Sequence, residues 1–285
     1  MSTDLDAVFE RNYALAEPHT LLMKAQVRSI FDRLVEVRHL PGDCIEFGGF
    51  RGGLSFFLGL CVRDWGLPKR VFMLDSFEGL PQTDARLDGP FRGGMMASDL
   101  ASVLQQRAAL GLDAVVEVRP GWFQDSLETL PATAQFCLAH LDADIYSSTK
   151  TALRYVLPRL AQGGALVLDD CLFFGAGGVL KAAEEEIGSG LHLHLGPKTQ
   201  AYAFPAGDPN PRRRAPVWRT LGGRRYDVAE LLQRADYIEL VASEAAYFRD
   251  LAQGYDDYLE LVSGKPAPPA DSHRIAPSIG ILRKS

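Results

Sequence analysis

The chain has 285 residues, of which 47% are hydrophobic and 23% charged, and its formal net charge is -6. This composition is typical of a globular protein with one large domain, or with one domain and an appendage. The acidic balance argues against a general nucleic-acid binder, and no secretory pattern or membrane-spanning apolar run is visible, so we expect a cytoplasmic protein that binds neither nucleic acid nor membrane.

The four cysteines are scattered along the chain and never form a Cys-x-x-Cys pair. They are Cys44, Cys61, Cys137 and Cys171. Most lie inside apolar runs, where free cysteine is usually buried. Zinc sites and disulfide frameworks both need spacings that this chain lacks. We therefore predict buried, reduced thiols.

Taken in chain order, the pattern predicts a helical start followed by alternating strands and helices. Apolar residues recur at helical spacing from Met23 to Val37, and Pro41-Gly42 ends this first segment. The predicted strands are Cys44 to Phe47, Val71 to Leu74, Val115 to Val118, Phe136 to Leu141 and Ala165 to Leu168. The predicted helices between them are Leu54 to Arg63, Leu100 to Leu110 and Thr149 to Leu160, the last closed by Gly163-Gly164.

The pattern changes after about residue 205, where the composition becomes rich in Pro, Gly and Arg. "PAGDPNPRRRAPVW" and "SGKPAPPADS" are predicted linkers or loops. Val228 to Leu232 and Glu244 to Leu261 are predicted helices, and Ser278 to Leu282 is a predicted strand. We therefore divide the chain into an N-terminal helical segment or lid (1–40), a catalytic domain (41–205) and a C-terminal extension (206–285). That extension could be a lid, an oligomer contact or a substrate-recognition insert.

Acidic residues stand at or beside the ends of four predicted strands. They are Glu46, Asp75, Asp142 and Asp169. Short apolar strands that alternate with helices predict an α/β fold with a mostly parallel sheet covered on both faces. Ligands of such sheets bind beyond the carboxyl ends of the strands. These acids are therefore expected to converge on one edge of one sheet.

The stretch "CIEFGGFRGG" is a strand followed by a glycine-rich turn. A dinucleotide fingerprint would need glycine where Phe50 stands, and a phosphate-binding loop would need Lys after Gly53. What remains is an acid and two glycines, Glu46, Gly48 and Gly52, with Asp75 closing the next strand. A carboxylate there can accept both hydroxyls of a ribose, which suits a nucleoside without phosphate. The alternative is an ordinary strand-to-helix turn.

Five ordered blocks together resemble one family. They are "EFGGFRGG", "LDSFEGLP", "PGWFQDSL", "LDADIYSST" and "GGALVLDD", and they cover roughly residues 43–170. The set resembles the macrocin O-methyltransferases, which methylate sugar hydroxyls with S-adenosylmethionine and a metal. The resemblance implies a class I methyltransferase fold: a Rossmann-like, mostly parallel, seven-stranded sheet with N-terminal helices and a helical C-terminal extension. It also makes a homo-oligomer an expectation.

The resemblance also implies site residues. The cofactor would be bound by Glu46, Gly48, Gly49, Phe50, Gly52, Ser55, Asp75, Ser76, Gly121, Trp122, Phe123 and Asp142. Within this set Asp75 and Ser76 would hold the ribose, and Gly121, Trp122 and Phe123 would flank the adenine. The alternative for Trp122 and Phe123 is a plain core position.

The resemblance implies a divalent cation, Mg²⁺ or another hard ion, held by Asp142, Asp169 and Asp170. The residues support this separately, because carboxylates without a nearby His or Cys pair suit Mg²⁺, Ca²⁺ or Mn²⁺ rather than zinc. Clustered carboxylates would also repel one another unless a cation offset them. Asp144 is then the expected general base, which takes the proton of an acceptor hydroxyl as the methyl group moves.

Two other functions stay open from the sequence alone. Asp142-x-Asp144 after an apolar strand also fits a haloacid-dehalogenase-type Mg²⁺-dependent phosphatase, with Asp142 as nucleophile. The phosphatase hypothesis leaves the glycine turn and Asp75 unexplained. A non-catalytic protein that keeps the cofactor fold is the third possibility. Ala143 and Cys171 depart from the family pattern, which has glycine and an aromatic residue there, and these departures bear on the acceptor.

Overall fold

The computed structural model describes residues 4–171, 173, 177–187, 192–195, 200–204, 218–221 and 224–227. The predicted elements at 228–232, 244–261 and 278–282 lie outside these ranges. Among the residues that the structure describes, no helix is long and apolar enough to cross a bilayer.

Helices and strands alternate through most of the described chain. The helices are α1 (Leu5–Ala16), α2 (Lys24–Val37), α3 (Gly53–Asp64), α4 (Leu100–Ala109), α5 (Phe123–Ser126), α6 (Tyr146–Val156) and α7 (Gly178–Ile187). The strands are β1 (Asp43–Phe47), β2 (Val71–Asp75), β3 (Val116–Pro120), β4 (Phe136–Leu141), β5 (Leu160–Leu168), β6 (His192–Leu195), β7 (Ala201–Phe204), β8 (Trp218–Leu221) and β9 (Arg224–Asp227).

One sheet organises the fold, with the strand order β3-β2-β1-β4-β5-β7-β6. Five adjacent strands of this sheet pair in parallel, in the order β3-β2-β1-β4-β5. Strand β7 pairs antiparallel with both β5 and β6. The predicted Rossmann-like, mostly parallel sheet is therefore confirmed. Strands β8 and β9 form a separate antiparallel hairpin, which the sequence analysis did not predict among the linkers and helices of the C-terminal extension.

Alternating strand residues face two apolar layers, as a sheet covered on both sides requires. In β1, Cys44 packs with the layer built from α1, α2 and α3, whereas Ile45 and Phe47 pack with the layer that includes α6 and α7. All four cysteines are free and buried, which confirms their predicted state. Glu46 shares the orientation of Cys44 and therefore faces α3.

The predicted end of α6 is wrong. The helix ends at Val156, a short 3-10 turn at Leu157–Arg159 contains Pro158, and β5 begins at Leu160. Proline interrupts helical hydrogen bonding, so the chain turns before the two glycines. Gly163 and Gly164 instead lie inside β5, where the pairing with β4 shifts register. Gly163 has a φ of +78°, which glycine adopts without strain.

Candidate functional site

The glycine turn after β1 lies directly against the end of β4. Gly48 has a φ of +85°, and a Cβ atom built on it would lie 1.8 Å from the carbonyl oxygen of Asp142. The Gly48 N–H donates to the carbonyl of Leu74 on the other side, at 2.9 Å. Only glycine fits between these strands in this conformation. The turn therefore joins the predicted cofactor residues to the predicted metal ligands in one site.

Asp75 closes β2 and receives one hydrogen bond from the glycine turn and one from the turn that follows β2. The N–H of Phe50 donates to Oδ2 at 2.7 Å, and the N–H of Phe77 donates to Oδ1 at 2.7 Å. Each carboxylate oxygen keeps a further lone pair that a ribose hydroxyl can use. Burial raises the pKa of Asp75 to about 6, although these two backbone hydrogen bonds act to lower it.

Glu46 accepts one hydrogen bond beneath the turn and lies beside a buried imidazole. Ser55, in the first turn of α3, donates its hydroxyl to Glu46 Oε2. His140 of β4 is paired in register with Glu46, and its Nδ1 lies 3.4 Å from Oε1. Ser55 and His140 are both fully buried. Ser55, a predicted cofactor residue, thus contacts Glu46 rather than the open edge.

The predicted adenine residues begin beside Asp75. The N–H of Gly121 donates to the Asp75 carbonyl at 2.9 Å, and Trp122 stands at the start of α5. Phe123 packs edge-on against Phe47 with ring centroids 5.2 Å apart, so part of this side chain serves the core. The hydroxyl of Ser76 donates to the Gly79 carbonyl at 2.8 Å and stabilises its own turn.

Four aspartates form an acidic cluster, which we define as Asp142, Asp144, Asp169 and Asp170. Within the described residues, carboxylate oxygens of Asp142, Asp144 and Asp170 lie within 4.8 Å of one another. Asp169, a predicted metal ligand, is outside this group of three and only 5% exposed. Its backbone N–H donates to the Leu141 carbonyl at 2.8 Å, which keeps the ends of β4 and β5 together.

Mutual repulsion affects the titration of this cluster. Burial is the main cause that raises the pKa of Asp142 well above its usual value, and the charge of Asp169 is the next. For Asp144, burial again comes first and the charge of Asp170 second. Carboxylates crowded in this way need a cation or protons to offset their charge.

The backbone is also strained here. Asp144 has a φ of +57° and Asp170 a φ of +50°, and Phe50 in the glycine turn has a φ of +48°. Residues other than glycine rarely adopt this left-handed region, although Asp tolerates it better than most. Such conformations concentrate at functional sites, where the surrounding fold enforces them.

The donor set fits a hard divalent cation. All the candidate ligands within the described acidic cluster are carboxylate oxygens, which Mg²⁺, Ca²⁺ and Mn²⁺ prefer. Mg²⁺ usually takes only one or two carboxylates together with several waters, so a cluster of four acids has a carboxylate to spare for proton transfer.

The sequence did not indicate two further residues near the site, Gln26 and Asp88. Gln26 of α2 donates from Nε2 to both carboxylate oxygens of Asp169, at 3.0 and 3.3 Å. Asp88, in the loop between β2 and α4, accepts from the N–H of Tyr146 at 2.7 Å and thereby caps α6. Both contacts join positions far apart in the sequence, so no local pattern indicates them.

Comparison with known proteins identifies a family and several relatives. The model of the macrocin-O-methyltransferase (TylF) family matches residues 19–185. The 8-demethyl-8-(2,3-dimethoxy-alpha-L-rhamnosyl)-tetracenomycin-C 4'-O-methyltransferase of Streptomyces olivaceus is 39% identical over 140 residues, which are 46% of this chain and 53% of the relative. The mycinamicin III 3''-O-methyltransferase of Micromonospora griseorubida is 33% identical over 144 residues, 46% of this chain and 56% of the relative.

The chain spans about half the length of these curated relatives. Among solved structures, the O-methyltransferase NovP superposes with a TM-score of 0.59 at 24% identity, over 66% of this chain and 82% of NovP. The calicheamicin methyltransferase CalS11 superposes with a TM-score of 0.55 at 19% identity, over 73% of this chain and 95% of CalS11. These two superpositions agree on the fold, and the family model covers more than half of the sequence. The chain belongs to the macrocin-O-methyltransferase family.

Proposed function

We propose that this protein transfers the methyl group of S-adenosylmethionine to a hydroxyl of a small-molecule acceptor, and that it needs a divalent cation to do so. The acceptor hydroxyl belongs to a sugar of a glycosylated natural product. This substrate class comes from the relatives, one of which is named for a rhamnosyl compound and the other for mycinamicin III.

One observation carries the proposal: the acidic cluster and the ribose-binding candidate Asp75 share one edge of the sheet, joined by Gly48. Gly48 would clash with the Asp142 carbonyl if it carried a Cβ atom, and Asp75 accepts a hydrogen bond from Phe50 in the same turn. A nucleoside held by Asp75 and the turn would therefore extend towards the four aspartates. This arrangement suits transfer between a bound cofactor and an acceptor at the cluster.

The residues of the cluster divide the work in the proposed mechanism. Asp142, Asp169 and Asp170 would hold the cation, which when bound would supply a Lewis acid for the acceptor hydroxyl. Asp144 takes the proton from that hydroxyl. Its carboxylate lies in the group of three with Asp142 and Asp170, within reach of a hydroxyl beside the cation, whereas Asp169 is assigned as a ligand by the family resemblance. Glu46 and Asp75 would hold the cofactor beside the cluster.

The acceptor would approach a group of apolar side chains beside the acidic cluster. Leu80, Phe91 and Ile145 form a small buried group, with Met95, Met96 and Phe173 packed against it. Ile145 follows the proposed base directly in the sequence, and Phe173 follows Asp170 by three positions. The partly exposed members of this group, Met95, Met96 and Phe173, would suit contact with an apolar aglycone that carries the sugar.

The phosphatase alternative loses its support with the family match, because the match extends over the glycine turn and Asp75, for which a phosphatase has no use. The non-catalytic alternative is addressed by an assay. We would incubate the protein with radiolabelled S-adenosylmethionine, Mg²⁺ and a panel of rhamnosides and other glycosides of apolar aglycones. Label transferred to a glycoside, and abolished by EDTA, is the expected result. Binding of the cofactor without transfer to any glycoside would favour the non-catalytic protein.

Cofactor affinity is expected to depend on pH through Asp75. The ribose hydroxyls donate to the charged carboxylate, so binding favours deprotonated Asp75, whose pKa is about 6 in the free protein. Affinity for S-adenosylhomocysteine should therefore be constant above about pH 7 and fall by up to about tenfold per pH unit well below about pH 6.

The control for this pH dependence is Asp75→Asn, which keeps the shape of the side chain and removes its charge. We expect the variant to bind S-adenosylhomocysteine more weakly, and its affinity to stay constant through pH 6, as measured by calorimetry between pH 5 and 8. The same pH dependence of affinity in both proteins would assign the titration to another group.

A further inference from the structure

Gln26 connects the N-terminal part of the chain to the acidic cluster. Its side chain is fully buried, and its Nε2 contacts Oδ1 and Oδ2 of Asp169 at 3.0 and 3.3 Å. A donor shared between both oxygens restricts rotation of the carboxylate about its last bond. The orientation of Asp169 is therefore fixed from α2.

The other end of the same amide is also used. Its Oε1 accepts the backbone N–H of Met23 at 3.0 Å, which satisfies a free donor at the start of α2. Rotating the amide by 180° would place its oxygen against the Asp169 carboxylate and lose both contacts. The capping interaction thus determines which atom faces Asp169.

A neutral donor suits a cation ligand better than a charged one. Lysine or arginine at this position would neutralise Asp169 and compete with a bound cation. An amide orients the carboxylate and leaves its negative charge available. Hydrogen bonds of this kind to ligating carboxylates hold metal sites in shape in other proteins.

The segment that precedes Gln26 packs against the first turn of α3, which follows the glycine turn. A Cβ atom on Gly53, the first residue of α3, would lie 2.5 Å from the side chain of Thr20, so the two backbones are in close contact. The ring of His19 packs edge-on against Phe56, with centroids 5.9 Å apart. Residues 17–26, which we term the N-terminal strap, therefore run from the helix after the glycine turn to Asp169.

We propose that Gln26 is a positioning residue that orients Asp169 for the divalent cation, and that it makes the N-terminal strap a structural part of the cation site. This inference rests on the proposed function, since it requires that the acidic cluster bind a cation. Gln26 itself contacts neither the acceptor nor the cofactor in this account.

The test compares Gln26→Met with Asn12→Leu. Methionine keeps the length of glutamine and removes the hydrogen bonds to Asp169 and Met23. Asn12 is a matched control, because it is also a buried amide on an N-terminal helix that donates to a carboxylate, that of Asp64, at 3.1 Å. Asp64 lies at the opposite end of α3 from the glycine turn. Both variants lose a buried amide contact, but only Gln26→Met affects the cluster.

Cation affinity is measured by Mn²⁺ titration followed by electron paramagnetic resonance, and folding by thermal unfolding without cation. We expect Gln26→Met to bind Mn²⁺ about 10- to 100-fold more weakly than the wild type. The affinity of Asn12→Leu should stay within about twofold of the wild type, since Asp64 is remote from the cluster. If Gln26→Met does not fold, Gln26→Asn serves instead, because it keeps the amide but is too short to reach Met23 and Asp169 together.

Equal Mn²⁺ affinity in the wild type and the Gln26 variant would overturn the role of Gln26 and leave the proposed function intact. An equal loss in Gln26→Met and Asn12→Leu would also overturn it, because the effect would then follow stability alone. A wild-type protein that binds no Mn²⁺ would overturn both this inference and the cation in the proposed function.

Discussion

Replacement of Asp144 by asparagine is expected to lower kcat by about 10²- to 10⁴-fold, the usual contribution of a positioned general base. Asparagine has the same shape and also tolerates the left-handed backbone that Asp144 adopts, with its φ of +57°. The substitution therefore removes the proton acceptor without disturbing the turn. Turnover would be measured on whichever glycoside the acceptor screen identifies, at saturating cofactor and Mg²⁺.

Two controls separate loss of the base from loss of the site. The affinity of Asp144→Asn for S-adenosylhomocysteine should stay within about twofold of the wild type, because its carboxylate does not hold the cofactor in this account. Asp125→Asn changes an exposed acid in α5 and should leave kcat within about twofold of the wild type. Wild-type kcat in Asp144→Asn would remove Asp144 as the base.

Replacement of Gly48 by alanine is expected to abolish measurable cofactor binding and to lower the free energy of unfolding by about 3 to 5 kcal/mol. The new methyl group would lie 1.8 Å from the Asp142 carbonyl oxygen, so β1 and β4 would have to separate where the site is built. The left-handed backbone adds strain of about 1 to 2 kcal/mol. Urea unfolding and calorimetry with S-adenosylhomocysteine measure the two effects.

Gly66 provides the matched control for this substitution. It also has a positive φ, +58°, but a Cβ atom on it would have no neighbour within 4 Å. Gly66→Ala should therefore cost only the backbone strain, about 1 kcal/mol, and leave cofactor affinity unchanged. A Gly48→Ala protein that behaves like Gly66→Ala would show that the turn does not need to approach β4 so closely.

The sequence predicted the sheet and the convergence of the acids because both follow from local patterns. The bounds of β4, Phe136–Leu141, agree with the prediction to the residue. Once strands are parallel, their carboxyl ends meet at one edge, so Asp75 and Asp142 had to approach one another. The family resemblance then supplied roles for residues that lie on this edge.

Other parts of the molecule depend on contacts that a local pattern does not contain. The register shift between β4 and β5, within which Gly163 and Gly164 lie, depends on the pairing of two separate strands. Gln26 caps α2 through the N–H of Met23, and only the folded chain brings its amide to Asp169, 143 positions away. The left-handed backbone at Asp144 and Asp170 likewise follows from tertiary packing, since nothing in the residue type requires it.

The most direct test of the account is a calorimetric titration with S-adenosylhomocysteine, with and without Mg²⁺, on the wild type and on Asp75→Ala. We expect the wild type to bind, and Asp75→Ala to bind about 10- to 100-fold more weakly, since hydrogen bonds to a charged group are lost. Thermal unfolding of the variant verifies that it is folded. Absence of binding to the wild type under both conditions would contradict the assignment of this site to S-adenosylmethionine.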